Sequence, residues 1–433
     1  MSRLNIISIL FLLILVSIKS NEVPEDYELA TIKSDNETLF IEAIKKLGKG
    51  EVGSIYIDTP IINFEQYYNI ELNGNNIGGI VGLKQSDGKF PILNFEKSTE
   101  KHGYYNSGIN LYGNNKFIKY LIIENSGGYG VYIYGSHSKL DHVVTRYNYG
   151  TGISIDSNSY SLNYCYSYRN LDKKSLGLNA NGFDFYKGFF SSSSFYVRNC
   201  FAWENGNKGF YLMYPCYNYN FENCASWNNG NHEVFSGKYD YDNQKTLDTG
   251  MWTIKEIMKA DKNFAKNYNN SKFNLDFGRI SGEPASDWLL KASENMGGAG
   301  FYFENKYNCS SSSKLIFDKN SAFDNKGDGF YNFEYEYYRI NPYFTKCVSF
   351  RNFVNYHLNF TPNSDNFELT DNWGWDAKSS NQANMNQTFK IPINKTSATN
   401  LFYQIRDKIE KDLRNDFIPT YNFNLAINGL KDK

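Results

Sequence analysis

Two sets of residues recur at one spacing and could share one surface. Just after a repeated Gly and its apolar neighbour come Asn110, Tyr132, Ser154, Asp184, Tyr211, Tyr302 and Tyr331. Just before the same Gly stand Tyr129, Thr151, Asn181, Lys208, Ala299 and Asp328. Phenol rings stack on pyranose faces and amides bond hydroxyls, so such a face suits a saccharide chain. The bland alternative is a solvated ladder of the kind any Tyr-rich repeat would make. Other chemistries are poorly represented. The five His show no metal-ligand spacing, and G-x-S-x-G, P-loop and C-x-x-C motifs do not occur. Asp184 and Asp156 are the nearest approach to a glycosidase carboxylate pair.

What could align those residues is a repeat. The phrases "VVTRYN", "CYSYRN", "CFAWEN", "CASWNN", "NSAFDN" and "CVSFRN" end at Asn148, Asn170, Asn205, Asn229, Asn325 and Asn352, and "YLIIEN" at Asn125 aligns with them. Three residues before the Asn the side chain is mostly small, and five before it is often Cys, which is the period-2 alternation of a strand entering a turn. Gly follows, then a second strand such as "GVYIY", "GFDFY" or "GFYLM". Gly108, Gly130 and Gly152 are evenly spaced, and later repeats are longer. Two or three short strands in each repeat of roughly 20 to 30 residues indicate a parallel β-helix. Coils then stack at roughly 4.8 Å, and each turn Asn can bond the Asn above and below it. The 36 Tyr and 33 Phe against 9 Pro favour strands throughout. A net charge of −1 supplies no basic field for nucleic acid.

The fold class expected is therefore all-β, a right-handed parallel β-helix over 30–375. "SDNETLFIEAIKKLGKG" offers a Ser34-x-x-Glu37 capping box and an apolar stripe, predicting a helix over the N-terminal end of the stack. Leu401, Phe402, Ile405, Ile409, Leu413 and Phe417 predict a covering helix within the C-terminal segment 376–433. The repeat breaks at about 236–295, where "DTGMWTIKEIMKADKNFAKNY" reads as a helical insertion. Residues 1–20 open with one basic residue, Arg3, ahead of an apolar run too short for a comfortable span, which reads as a signal peptide cleaved near Ser20. An uncleaved anchor is the alternative. Sequons at Asn36, Asn269, Asn308, Asn359, Asn386 and Asn394 fit a secreted, extracellular glycoprotein.

With the coil order in place, the chain resembles polysaccharide lyase family nine, the pectate-lyase-like right-handed β-helix proteins. The resemblance runs from about Ile55 to Asn359 through "GVYIYGSHSKLDHVV", "NANGFDFYKG", "NCFAWENGNKGFYLM", "GAGFYFEN" and "NSAFDNKGDGF". It implies a monomer acting on acidic polysaccharide of the polygalacturonate type by β-elimination. In such lyases clustered Asp residues hold calcium against the substrate carboxylate and a lysine removes the adjacent proton. Those Asp correspond to Asn181, Asn207, Lys208 and Tyr211 here, and the lysine to Tyr302. The usual calcium ligands and base are thus not matched, and no cofactor is expected. Lys208 could pair directly with a uronate carboxylate, and Tyr302 or Lys187 could serve as base beside a cation. Asn181, Asp184, Asn207, Tyr211 and Tyr331 are the expected substrate-binding residues. A non-catalytic binding module and a structural surface protein remain open alternatives.

Cys165, Cys200, Cys224 and Cys347 share one inward position and read as a column of buried thiols. Cys216 and Cys309 differ, since each follows a Gly-Phe-Tyr strand into a loop. In an oxidising compartment these two could pair across adjacent coils. Non-reducing peptide mapping should recover a linked Cys216–Cys309 peptide; both cysteines found as free thiols would remove the bridge.

Overall fold

Polar turns and three-residue strands dictate the architecture, because so short a strand is stable only when others stack on it. The computed structural model describes residues 27–102, 106–157, 159–170, 180–186, 194–213, 218–230, 298–305, 314–334, 342–358, 368–378, 382–383 and 389–431. The leader, the insertion at 236–295, Lys187, Cys216 and Cys309 lie outside the described residues. Strand pairs are parallel and join matched positions of successive coils. Ten strands, from Ile70–Leu72 to Gln382–Ala383, make one sheet. Another 19 form a continuous sheet bent into two faces, because Lys116–Glu124 and Ser138–Arg146 run through both. At the bend Tyr120 and His142 adopt φ +55°, and Tyr164, Asn199, Asn223, Lys319 and Lys346 repeat that left-handed turn in later coils. The chain is a parallel β-helix, as the repeat indicates.

Coil-to-coil contact is carried by a buried amide ladder. Asn148 Nδ2 donates to Asn170 Oδ1 at 3.0 Å, Asn170 to Asn205 at 2.9 Å, and Asn205 to Asn229 at 3.0 Å. Asn229 to Asn325 and Asn325 to Asn352 continue it at 3.0 Å each. The same Oδ1 atoms accept from the backbone N–H of the preceding Asn. A Cβ on Gly209 would strike the Ser226 hydroxyl and the Asn229 amide, and one on Gly152 the Ser167 hydroxyl and the Asn170 amide. Small residue, Asn and Gly are therefore one packing unit, which explains why the phrase recurs. Asn125 departs from expectation. Ser126 N donates to Asn148 Oδ1 and holds the ladder position, so the first phrase registers one residue later than its Asn suggests. Asn125 instead occupies the left-handed position at φ +62° and bonds Asn94 Oδ1 at 2.9 Å.

Inside, Phe183, Phe210, Phe301, Phe330 and Tyr356 stack with centroids 4.6 to 5.3 Å apart and interplanar angles of at most 9°. Cys165, Cys200, Cys224 and Cys347 are buried and free, and Asn320 and Asn372 take their position in other coils. The N-terminal helix Glu37–Gly48 packs Phe40 and Leu47 onto the first coils. Its cap is Asn36, whose side chain accepts from Leu39 N, and not Ser34. Glu37 accepts from the backbone of Glu65 and Gln66 instead of closing a capping box.

The C-terminal helix Lys395–Arg414 lies along a flank and does not cover the end of the stack. Its 20 residues span about 30 Å. Six coil steps from Arg146 to Trp375 span about the same length at roughly 4.8 Å each. Trp375 Nε1 donates to Thr399 Oγ1 at one end, and Arg146 Nη1 to Leu413 O at the other. Between them Phe402, Ile409 and Leu413 bury against an outward aromatic stack of Tyr168, Trp203, Trp227, Phe323, Phe350 and Trp375.

Substituting Asn205→Ala removes the acceptor of Asn170 and the donor to Asn229 and Ser167 O at once. Stranding those buried groups is expected to lower unfolding free energy by about 3 kcal/mol in urea titration; a loss below about 1 kcal/mol would show that the ladder is not holding the coils.

Candidate active site

Backbone register brings the central site residues together. Ser154, Asp184, Tyr211, Tyr302, Tyr331 and His357 pair in sequence across adjacent coils of the ten-stranded sheet. Asn181, Lys208, Ala299 and Asp328 form the neighbouring column, since Gly182 N donates to Lys208 O, Gly209 N to Ala299 O, and Gly300 N to Asp328 O. Both columns stand on turns held by the Asn ladder.

At the centre lies a closed polar chain. Asn181 Oδ1 accepts from Lys208 N at 2.9 Å, and Asn181 Nδ2 donates to Asp184 Oδ1 at 2.7 Å. Thr151 Oγ1 donates to Asp184 Oδ2 at 2.6 Å, and Tyr186 OH reaches the same oxygen at 3.2 Å. The Lys208 ammonium lies 4.7 Å from the Tyr211 ring centroid and 4.7 Å from that of Tyr302, a double cation–π contact. Lys208 is only 4% exposed, so it is not a solvated turn lysine. Asp184, Asn181, Asn207 and Tyr211 are buried with it, and Tyr302 nearly so. Asn207 turns its amide oxygen toward Gly298 N at 3.4 Å. Tyr331 is half-buried, tilted against Tyr302 at 5.0 Å and against His357 at 4.6 Å. His357 Nδ1 in turn meets Asp328 Oδ2 at 2.8 Å. At these coils the face is closed, not the open groove that Tyr and amide residues suggest.

Burial dominates the electrostatics. It pushes the Asp184 carboxyl up to about 6, against the opposing pull of hydrogen bonds from Thr151 and Asn181 and the charge of Lys208. Tyr186 is raised well above an ordinary phenol by burial and then by Asp184. Sequence reasoning found Asp184 but missed its donor Tyr186 and the Asp328–His357 pair. Tyr186 stands two residues beyond Asp184, just past the end of the strand Phe183–Phe185, and that period-2 spacing was a usable signal. The Asp328–His357 contact spans adjacent coils and had none.

Calcium takes six to eight oxygen ligands. Among the described residues at this centre there is one carboxylate, both of whose oxygens are engaged, and an ammonium lies where further acid groups would be needed. Among the described residues no three His, Cys, Asp or Glu side chains gather as a metal site. The donor set does not fit calcium.

Against this fold and site, a family model described as "Pel9A-like, right handed beta helix region" matches residues 24–250, more than half of the chain. The protein belongs to that family. Its fold is similar to the crystal structure of pectate lyase Pel9A, with a TM-score of 0.56 and 18% identity over 84% of this chain and 78% of the other. It is also 34% identical over 83 residues to pectate lyase L of Paenibacillus polymyxa (strain SC2). That match covers 19% of this chain and 18% of the relative, less than a fifth of its length.

The raised Asp184 carboxyl fixes a sign for pH dependence. Between about pH 4 and 6 the folded protein holds a proton that the unfolded chain has released, so stability falls as pH rises through that window and then levels. Urea titrations should show the wild type losing up to about 3 kcal/mol more than Asp184→Asn between pH 4 and 7. Parallel profiles for the two proteins would contradict the shift.

Proposed function

We propose that this Pel9A-like protein is exported and binds acidic polysaccharide of the polygalacturonate type without calcium-dependent elimination. One observation carries the reading. The Lys208 ammonium, held between Tyr211 and Tyr302, occupies the centre of the face, where the family resemblance would put calcium carboxylates. Because the ammonium is buried, it attracts a uronate carboxylate through its field and not by contact, while half-buried Tyr331 offers ring surface to the sugar. Asp184 balances the lysine charge when no ligand is present. Export is supported by the apolar leader in the sequence.

A second reading, catalysis without metal, is favoured by the position of Tyr302. Its ring lies against the Lys208 ammonium, at the position the family resemblance gives to the base. Elimination would then move the proton next to the uronate carboxylate to the Tyr302 oxygen and expel the linked sugar, leaving an unsaturated product.

Incubation with polygalacturonate and other polyuronates, with and without calcium, separates these readings. The expected result is retention on immobilised polyuronate with no ultraviolet-absorbing unsaturated product, and at least tenfold weaker retention for Lys208→Met. Product formation abolished by Tyr302→Phe would replace binding with catalysis. Neither retention nor product would leave a structural role.

A further inference from the structure

The same outer face carries a second feature, nearer the N-terminal end. Asn110 pairs with Tyr132 and Leu111 with Ile133, so Tyr112 and Tyr134, one residue further on, lie on adjacent coils. Four phenol rings meet there. Tyr112 lies 6.0 Å from Tyr132 and 6.1 Å from Tyr134, Tyr132 lies 6.5 Å from Tyr134, and Tyr129 stacks on Tyr132 at 5.5 Å and 22°. Tyr134 is 56% exposed and Tyr112 39%. Single exposed rings are ordinary, but here four rings gather on adjacent coils, with Tyr112 standing edge-on to Tyr132 and Tyr134 at 79° and 69°.

Two independent observations say what would lie on these rings. Asn110 is buried in the same column as Tyr132, yet its Oδ1 has no hydrogen-bond partner, which is unusual for a buried amide. That acceptor has no free surface as the rings lie here, so a ligand hydroxyl reaches it only once the side chains over it move aside. The charges acting on these phenols are acidic. Beyond the effect of burial, Glu71 raises Tyr112 and Asp156 raises Tyr132. A polyanion would be repelled here, while a neutral hydroxyl-rich chain would not. The Lys208 ammonium stands three coils away, roughly 14 Å along the axis.

We infer that Tyr112, Tyr129, Tyr132 and Tyr134 bind a neutral pyranose polysaccharide, with rings stacked on sugar faces and Asn110 Oδ1 accepting a sugar hydroxyl. The site adjoins the polyuronate site through Tyr129, which lies near Asp184 and Tyr186, but it needs neither Lys208 nor an acidic ligand. Coils repeat along the axis, so successive sugars of one strand can meet successive rings.

Affinity electrophoresis of the full chain in gels containing hydroxyethyl cellulose, glucomannan or polygalacturonate tests it. Wild type should be retarded by at least one neutral glycan, and Tyr112→Ala/Tyr134→Ala should weaken that binding at least tenfold. Tyr196→Ala, an exposed ring on another sheet, should bind as wild type. If the double variant loses its cooperative unfolding transition, Tyr134→Ser alone, at the most exposed ring, should still weaken binding. No retardation by either neutral glycan would overturn the inference, as would unchanged retardation of the double variant. So would a double variant that loses only polygalacturonate binding, or self-association through these rings. Failure of polyuronate binding alone bears on Lys208 and leaves this site standing.

Discussion

A single buried amide in each turn fixes where everything else lies. Its carbonyl accepts from both the amide and the backbone of the Asn one coil away, so a coil displaced by one residue strands several buried groups together. The Gly four residues after Asn148, Asn205 and Asn325 reinforces this, because the small side chain and Asn amide of the next coil fill the space a Cβ would need. Hydrogen bond and close approach select the same register, and short strands that would be unstable alone become one solenoid.

Register then settles chemistry. Because Asn181, Lys208 and Ala299 follow one another up one column, and Asp184, Tyr211 and Tyr302 up the next, a lysine at the middle coil must lie among two phenols and one carboxylate. The ammonium gains the ring faces and the Asp184 charge, and the carboxylate gains three donors. That mutual satisfaction lets both be buried, since an isolated buried charge is costly. It also consumes the oxygens that a hard cation would require. On the opposite side the same register stacks Trp203, Trp227 and Phe323 into an apolar strip, which the C-terminal helix covers from end to end.

Much of this was legible in the sequence. The small-residue, Asn and Gly spacing reports packing directly, so the solenoid and the two columns follow from it. Asn125 misled because Asn also suits the left-handed position that precedes the ladder, a position filled elsewhere by Tyr147, Arg169 and Glu204, which give no sign of it. Ser34 looked like a cap, but Asn36 holds the closer geometry to Leu39 N. The apolar stripe of the C-terminal helix was evident, while its destination depended on the outward aromatics two residues before every ladder Asn from Asn170 on. Those were visible as letters and meaningless without knowing which way they point. Burial of Lys208 was not legible at all, because it depends on neighbours contributed by three separate coils.

The Lys208 ammonium fills the place where a bound calcium would need carboxylates. Calorimetric titration of the full chain with calcium, alone and in the presence of trigalacturonate, tests it most directly. No saturable heat is expected in either case, for the wild type and for Asp184→Asn alike. Stoichiometric calcium binding that Asp184→Asn abolishes would contradict it.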